Sequence, residues 1–166
     1  MSDYINSDLH GLISFRLDRL ALALPVETVR EVVPIARLAH PPQLPRAVHG
    51  ILNLGGEAVP VLRLDRLLGL ADCGYDLSAS ILIMRGEPAL GLLVSHVDGV
   101  RTAGDFAALP VPPERTLNGC LLGILASGTA ELHLLSWNEV LMAEERRRLA
   151  EFAARAQARV DELLTP

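Results

Sequence analysis

Short apolar runs separated by turn residues fill most of the chain and predict a protein built mainly from β-strands. The segment LISFRLDRLALAL (12–24) alternates apolar and other residues on both sides of Asp18-Arg19, which predicts two strands and a tight turn. Later apolar runs are separated by the turn signals Arg85-Gly86-Glu87, Asp98-Gly99 and Ser127-Gly128. The whole pattern predicts about nine or ten short strands, which favours a sandwich or barrels over an alternating α/β sheet.

The segment HGILNLGGEAVPVLRL (49–64) places two glycines side by side between two strand-like runs. Gly55-Gly56 predicts the turn of a hairpin, because glycine adopts positive φ angles without steric cost. Pro60 has no backbone N–H, so we expect its strand to lie at the edge of a sheet or to carry a bulge.

Helical spacing before the C-terminal region is confined to two short segments. In PVETVREVVP (25–34), valines recur at helical intervals between two prolines, which predicts a helix of about two turns. LDRLLGL (64–70) predicts one or two helical turns that end at Gly69. The proline-rich segments 40–50 and 109–114 predict extended connectors.

From Asn138 onwards the pattern changes to that of one long amphipathic helix with Arg and Glu opposite an apolar stripe. The stripe consists of Leu149, Phe152, Ala153, Ala156, Val160, Leu163 and Leu164. One interpretation is a helix that packs on its own domain, and the other is a helix that docks a partner or a second copy. The first is favoured, because alanines in the stripe weaken the evidence for a coiled coil.

Composition and charge exclude several functional classes. The net charge of −5 and the aromatic content of 4% argue against nucleic-acid binding, which uses basic faces and stacking aromatics. All fifteen basic residues are arginine, so chemistry that depends on a lysine amine is absent. The chain has no apolar run long enough for a membrane span, and its polar start does not resemble a signal peptide. We therefore expect a cytoplasmic protein.

A search for reactive side chains finds no catalytic or metal-binding motif. His96 and Asp98 resemble a surface pair at a turn, and Glu27 and Glu31 resemble solvated carboxylates on one helical face. The two cysteines, Cys73 and Cys120, lack paired spacing and are expected to be free thiols. The sequence predicts no catalytic residue, no metal and no cofactor, and this is typical of a binding module.

The order of segments resembles the CheW family of chemotaxis coupling proteins over roughly residues 12–142. The most specific part, 45–70, follows the family pattern P-x-x-V-x-G-v-x-N-L-R-G-x-v-v-P-v-x-D-L, and VREV (29–32) resembles the family motif V-x-E-v. The residues that match the longer pattern are Pro45, Val48, Gly50, Asn53, Leu54, Gly56, Val59, Pro60, Val61 and Leu64.

The resemblance implies a mainly β fold of two five-stranded SH3-like barrels, with a hydrophobic groove between them. The two halves would share a core within 12–142, and the amphipathic helix would occupy 143–166. The implied function is a non-catalytic adaptor that bridges the cytoplasmic tip of chemoreceptors and the regulatory domain of a histidine kinase, without nucleic acid or membrane insertion. Carried over by position, the residues near the receptor-binding region would be Val29, Glu31, Val32, Asn53, Leu54, Gly55 and Gly56.

Four positions depart from the family pattern. Gly55 replaces an Arg, Arg63 replaces an Asp, and Ser95 and Ser136 each replace an Asp. The change at Arg63 alters the local charge by two units, so we count this residue among the candidate partner contacts. The hypothesis is a divergent adaptor whose affinity for the usual receptor–kinase pair is altered or reduced.

Two other hypotheses remain open. In the first, the same fold is recruited to a different regulatory complex, for instance through its C-terminal helix. In the second, the chain is a small enzyme or ligand-binding barrel that uses the groove as its pocket. The second hypothesis requires convergent polar groups with perturbed pKa values, and the sequence offers no such set.

Overall fold

The structure, a computed structural model, describes residues 11–114 and 116–164, which form two β-sheets and a long C-terminal helix. The strands are β1 (Gly11–Leu17), β2 (Leu20–Pro25), β3 (Val29–Pro34), β4 (Val48–Leu54), β5 (Glu57–Arg63), β6 (Ser80–Met84), β7 (Leu90–Val94), β8 (His96–Thr102), β9 (Ala107–Leu109), β10 (Leu121–Ser127) and β11 (Ala130–Leu135). The helices are α1 (Leu64–Leu67) and α2 (Trp137–Leu164), and short 3₁₀ turns cover Val26–Thr28 and Ala103–Asp105.

The strands form two barrel halves. The first half contains strands from both ends of the chain, and the second contains the contiguous strands β3 to β7. One sheet has the order β8-β1-β2-β11-β10-β9, and the other has the order β3-β6-β7-β5-β4. Most neighbours are antiparallel, but β11 pairs with β2 and β5 pairs with β7 in parallel. The prediction of barrels is confirmed, with six strands instead of five in the first sheet because the three-residue β9 joins it.

The core has three parts, and the largest lies between the two sheets. Each sheet encloses its own apolar cluster, while a third cluster joins residues of both sheets and will be called the shared core. In β6, Ile81 and Ile83 belong to the inner cluster of their sheet, whereas Leu82 and Met84 belong to the shared core. The strand is therefore apolar on both faces, which explains its uninterrupted hydrophobic run.

The predicted hairpin between β4 and β5 is confirmed. Gly55 and Gly56 have φ angles of 59° and 92°, and they form the two-residue turn between the strands. Pro60 does not mark an edge strand, because β5 lies between β4 and β7. The alternative, a bulge, lies beside it in β4, where the register with β5 shifts between Val48 and Gly50. Pro60 is tolerated in β5 because the parallel pairing with β7 begins only at Val61, one residue later.

The helix predicted over 25–34 is wrong. One 3₁₀ turn is followed by β3, whose residues pair with β6 in antiparallel register. The valines of this segment favour an extended backbone, because β-branched side chains fit a pleated surface better than a helix. The turn predicted at Asp98-Gly99 is also wrong, since both residues lie within β8, where Asp98 is the extra residue of a bulge opposite Ser14 and Phe15 of β1.

The long helix α2 packs on the barrels through its first turns. Val140, Ala143 and Glu144 are buried, and the Ser136 hydroxyl accepts a hydrogen bond from the Glu139 N–H at 3.3 Å, so Ser136 acts as an N-cap. The side chains of four stripe residues (Leu149, Phe152, Ala153 and Ala156) lie outside the described set. None of the helices in the described part of the chain is both long and apolar enough to cross a membrane.

The far end of α2 is open to solvent. Val160, Leu163 and Leu164 are 47%, 85% and 77% exposed, which is unusual for large apolar side chains at helical spacing. The interpretation of a helix packed on its own domain therefore holds for its first turns and not for its last.

We predict that removing one side chain from the shared core destabilises both barrels together. Leu82→Ala should lower the free energy of unfolding by about 2–5 kcal/mol, because a fully buried leucine leaves a cavity. Leu77→Ala, at a position 95% exposed, is the matched control and should change it by less than about 0.5 kcal/mol. Denaturant unfolding followed by circular dichroism and by the fluorescence of Trp137, the single tryptophan, should give coincident transitions. Two separate transitions would contradict a shared core.

Candidate partner-binding surface

The tip of the β4–β5 hairpin is exposed and held in one conformation. The Asn53 side-chain oxygen accepts a hydrogen bond from the Gly56 N–H at 2.8 Å, which closes the turn. A Cβ atom built on Gly55 meets nothing within 4 Å. An arginine at this position would therefore fit sterically, at a backbone cost of about 1–2 kcal/mol for a non-glycine residue with positive φ.

The predicted residues of β3 divide between the core and the surface. Val29 is buried in the shared core and is unavailable to a partner in this structure. Glu31 is exposed and Val32 is 42% exposed, because β3 is the edge strand of its sheet.

An ion pair shows that β3 and the hairpin tip are neighbours. Arg30 Nη1 lies 3.3 Å from Glu57 Oε2, and both side chains are exposed. Such a surface pair contributes little stability, at most about 1 kcal/mol, but it fixes the proximity of the two segments. The exposed residues Glu31, Val32, Asn53, Gly55 and Gly56 therefore lie on two neighbouring segments and will be called the hairpin–β3 surface, with Leu54 half-buried beside it.

Arg63 lies in the interior and not on this surface. Arg63 is only 8% exposed. Its Nε and Nη2 atoms donate hydrogen bonds to Oδ1 and Oδ2 of the fully buried Asp65, at 3.0 and 2.6 Å. The guanidinium group also stands 4.9 Å above the centre of the Tyr75 ring. Arg63 is therefore compensated internally and does not present a charge to a partner.

Hydrogen bonding keeps Asp65 ionised despite its burial. Burial alone would raise the pKa of this carboxyl, but the Arg63 guanidinium and the backbone N–H groups of Cys73 and Arg66 donate to it and lower its pKa. The same pair raises the pKa of Arg63. The sequence analysis did not identify Asp65 as the counterion of Arg63. The sequence did offer one indication of the pair, since the two opposite charges are only two residues apart.

The four departures from the family pattern have different structural consequences. Ser95 and Ser136 each keep an oxygen acceptor, because Ser95 Oγ accepts a hydrogen bond from the Asp18 N–H at 2.9 Å and Ser136 caps α2. Arg63 has its own buried counterion. Of the four, Gly55 is the one at an exposed position, on the hairpin–β3 surface.

A cavity of about 530 Å³ lies where the two halves meet. Its apolar lining comes from Leu20, Leu68, Leu70 and Leu117, and its polar lining includes Asn118 and His133. His133 Nδ1 lies 3.1 Å from the carbonyl oxygen of Ala21, so one ring nitrogen is already engaged by the backbone. Its four leucines are suited to apolar contacts, which makes this cavity the candidate for the expected groove.

The described residues contain no constellation for chemistry. No group of three or more His, Cys, Asp or Glu side chains among them is placed to hold a metal ion. Burial raises the pKa of the Cys73 thiol to about 11 and also raises that of Cys120, so both thiols are protonated at neutral pH. Asp98 forms an ion pair with Arg16 at 2.9 Å, and His96 Nε2 lies 3.7 Å from Asp98 Oδ1. The two residues are surface neighbours as expected, although they lie within β8 and not at a turn.

Comparison with known proteins identifies related sequences. The model of the CheW-like domain family matches residues 11–144. Protein FrzA from Myxococcus xanthus is 30% identical over 82% of this chain and 88% of its own length. The chemotaxis protein CheW from Treponema pallidum is 22% identical over 88% of this chain and 90% of its own length. The chemotaxis protein CheW from Thermotoga maritima is 29% identical, and the match spans 59% of that protein and 54% of this chain.

A solved structure has the same fold. The crystal structure of the scaffolding protein TtCheW from Thermoanaerobacter tengcongensis superposes with a TM-score of 0.67 at 22% identity, covering 78% of this chain and 85% of that one. The two sheets described above are therefore SH3-like barrels.

We predict that the Arg63–Asp65 pair stabilises the fold in a pH-dependent way. Arg63→Met should lower the free energy of unfolding by about 3–5 kcal/mol at pH 7, because it leaves a buried carboxylate uncompensated. The folded-state pKa of Asp65 is lowered in the parent protein, so the stability it contributes is present above about pH 4 and is lost as the pH falls through that pKa. The deficit of the variant should therefore shrink in acid.

Asp65→Asn added to Arg63→Met is the matched control, because it removes the charge and keeps an acceptor oxygen. The double variant should be more stable than Arg63→Met at pH 7, as measured by urea unfolding. A deficit that is equal at pH 7 and in acid, or a double variant no more stable than the single one, would contradict this role of the pair.

Proposed function

The chain belongs to the family of CheW-like chemotaxis coupling proteins, and we propose that it bridges chemoreceptor tips and the regulatory domain of a CheA-type histidine kinase in the cytoplasm. It is a scaffold and not an enzyme, as its family membership shows. Its contribution to signalling is therefore the geometry with which it holds two partners.

The hairpin–β3 surface is the observation that supports this proposal most strongly. Its backbone is rigid because the Gly55-Gly56 turn is closed by Asn53 and the flanking strands continue into a packed sheet. A pre-ordered surface binds with little loss of conformational entropy, which suits a protein whose task is to hold partners. The cavity between the halves is suited to the receptor tip, because that tip is a helical hairpin and helices bind apolar grooves. The hairpin–β3 surface is then assigned to the kinase domain, which departs from the expectation carried over by position, where this surface lay near the receptor.

Gly55 modifies this proposal. A surface arginine offers up to five N–H donors to a carboxylate, and this chain lacks that group at the centre of the hairpin tip. Since Arg63 is paired internally and both serines keep their local hydrogen bonds, we assign the altered or reduced affinity to Gly55 alone.

We predict that the protein binds the regulatory domain of a CheA-type kinase from its own genome with a dissociation constant on the order of 1 μM. Gly55→Arg should tighten this binding about tenfold, because a charge-assisted hydrogen bond is restored. Gly55→Gln is the matched control, since it has the same positive-φ strain but no charge. Calorimetric titration of the three proteins measures both effects.

Equal affinities of the Arg and Gln variants would contradict a recognition role for the charge at position 55. The absence of binding to every such kinase domain would contradict the proposed coupling function. Arg63→Asp is unsuitable as a companion test, because it would place a second carboxylate beside the buried Asp65.

The exposed end of α2 supports a second candidate function, recruitment of the same fold to a different regulatory complex. Val160, Leu163 and Leu164 lie beyond residue 144, where the match to the family model ends, and they are exposed. The similar proteins also include FrzA, which does not carry the CheW name, so the relatives of this chain extend beyond the proteins named CheW.

Truncation distinguishes the two functions. Removal of residues after Ala158 deletes 160–164, which are all exposed, so the melting temperature should stay within about 2 °C of that of the full chain. Under the coupling proposal, kinase-domain binding should survive this truncation unchanged. Loss of binding by a truncated protein that remains folded would instead favour recruitment through the helix. Truncation after Met142 cannot make this distinction, because it also removes the buried Ala143 and Glu144.

A further inference from the structure

A cavity of about 440 Å³ lies beside α2, on residues outside the hairpin–β3 surface. It is lined by three arginines, Arg46, Arg66 and Arg147, together with Gly69, Leu70 and Asp72, and will be called the arginine pocket. Arg46 belongs to the proline-rich connector, Arg66 to α1, and Arg147 to α2.

Hydrogen bonds to the backbone hold two of these arginines in place. Arg147 Nη2 donates to the carbonyl oxygen of Arg66 at 2.7 Å, and Arg66 Nη1 donates to that of Arg46 at 2.8 Å. The Arg46 N–H in turn donates to Glu151 Oε1 at 2.9 Å, which ties the connector to α2. The pocket is therefore built before any ligand arrives, and an ordered site loses little entropy on binding.

The charges in the pocket are unequal. Arg66 is neutralised by Asp72, to which it donates two hydrogen bonds at 3.1 and 3.0 Å. Among the residues that the structure describes, no carboxylate forms an ion pair with Arg46 or Arg147. Glu151 accepts a hydrogen bond from the Arg46 backbone N–H and is not in an ion pair with the Arg46 or Arg147 guanidinium group among the described residues. Two of the three arginines that line the cavity, Arg46 and Arg147, thus have no paired anion among the described residues.

We propose that the arginine pocket binds the phosphate group of a small ligand. A phosphate carries between one and two negative charges at neutral pH and presents several acceptor oxygens, which matches two unpaired guanidinium groups. A carboxylate carries a single charge and compensates them less completely. Because Arg147 lies beyond residue 144, where the family match ends, the pocket depends on the C-terminal helix of this chain.

The test is a calorimetric titration of the full chain with inorganic phosphate at about pH 8 and constant ionic strength, with acetate as the comparison anion. We expect one saturable phosphate site with a dissociation constant on the order of 1 mM or lower, and acetate binding at least about tenfold weaker. Arg46→Gln should weaken phosphate binding about tenfold without affecting folding, because its guanidinium forms no ion pair among the described residues.

Two further variants make the test specific. Arg147→Gln should weaken phosphate binding to a similar degree, with circular dichroism confirming that α2 remains folded. Arg101→Gln removes the same charge from an exposed position on β8 and should leave the affinity unchanged. The absence of saturable binding, equal affinity for acetate, or equal weakening by Arg101→Gln would overturn the proposal. None of these outcomes depends on partner binding, so the inference fails or stands independently of the proposed function.

Discussion

The shared core is the constraint on which the rest of the structure depends. Strands β6 and β7 each send alternate side chains into the inner cluster of one barrel and into the cluster between the barrels. Burial on both faces makes these strands apolar throughout and fixes the two halves relative to each other. The groove and the hairpin–β3 surface are therefore parts of one packed body. A scaffold that holds two partners in a defined geometry requires this rigidity.

The distribution of charge follows from the same constraint. A charged side chain close to the packed interior needs a counterion, and Arg63 has one in Asp65, supported by backbone donors and the Tyr75 ring. A position at an exposed turn has no such requirement, so Gly55 can differ from its relatives without structural compensation. This contrast separates a substitution in the packed interior from one at an open surface position.

Much of the fold was predictable from local pattern, and the rest required long-range information. The β1–β2 and β4–β5 hairpins follow from turn residues beside alternating runs. The helix predicted over 25–34 failed because helical spacing of valines competes with their preference for strands, and pairing with β6 decides the outcome. The interior position of β5 depends on parallel pairing with β7, which sequence pattern does not report. The exposed turn at the hairpin tip was predictable, whereas the burial of Val29 and Arg63 depends on packing between distant segments.

The central claim is that this chain holds a receptor and a kinase at the same time, and sedimentation velocity of a three-component mixture tests it most directly. The mixture would contain the protein, the regulatory domain of a CheA-type kinase and a cytoplasmic-tip fragment of a chemoreceptor from the same genome. The account predicts a species that contains all three components and that disappears when this protein is omitted. Two binary complexes that exclude each other, or no complex at all, would contradict it.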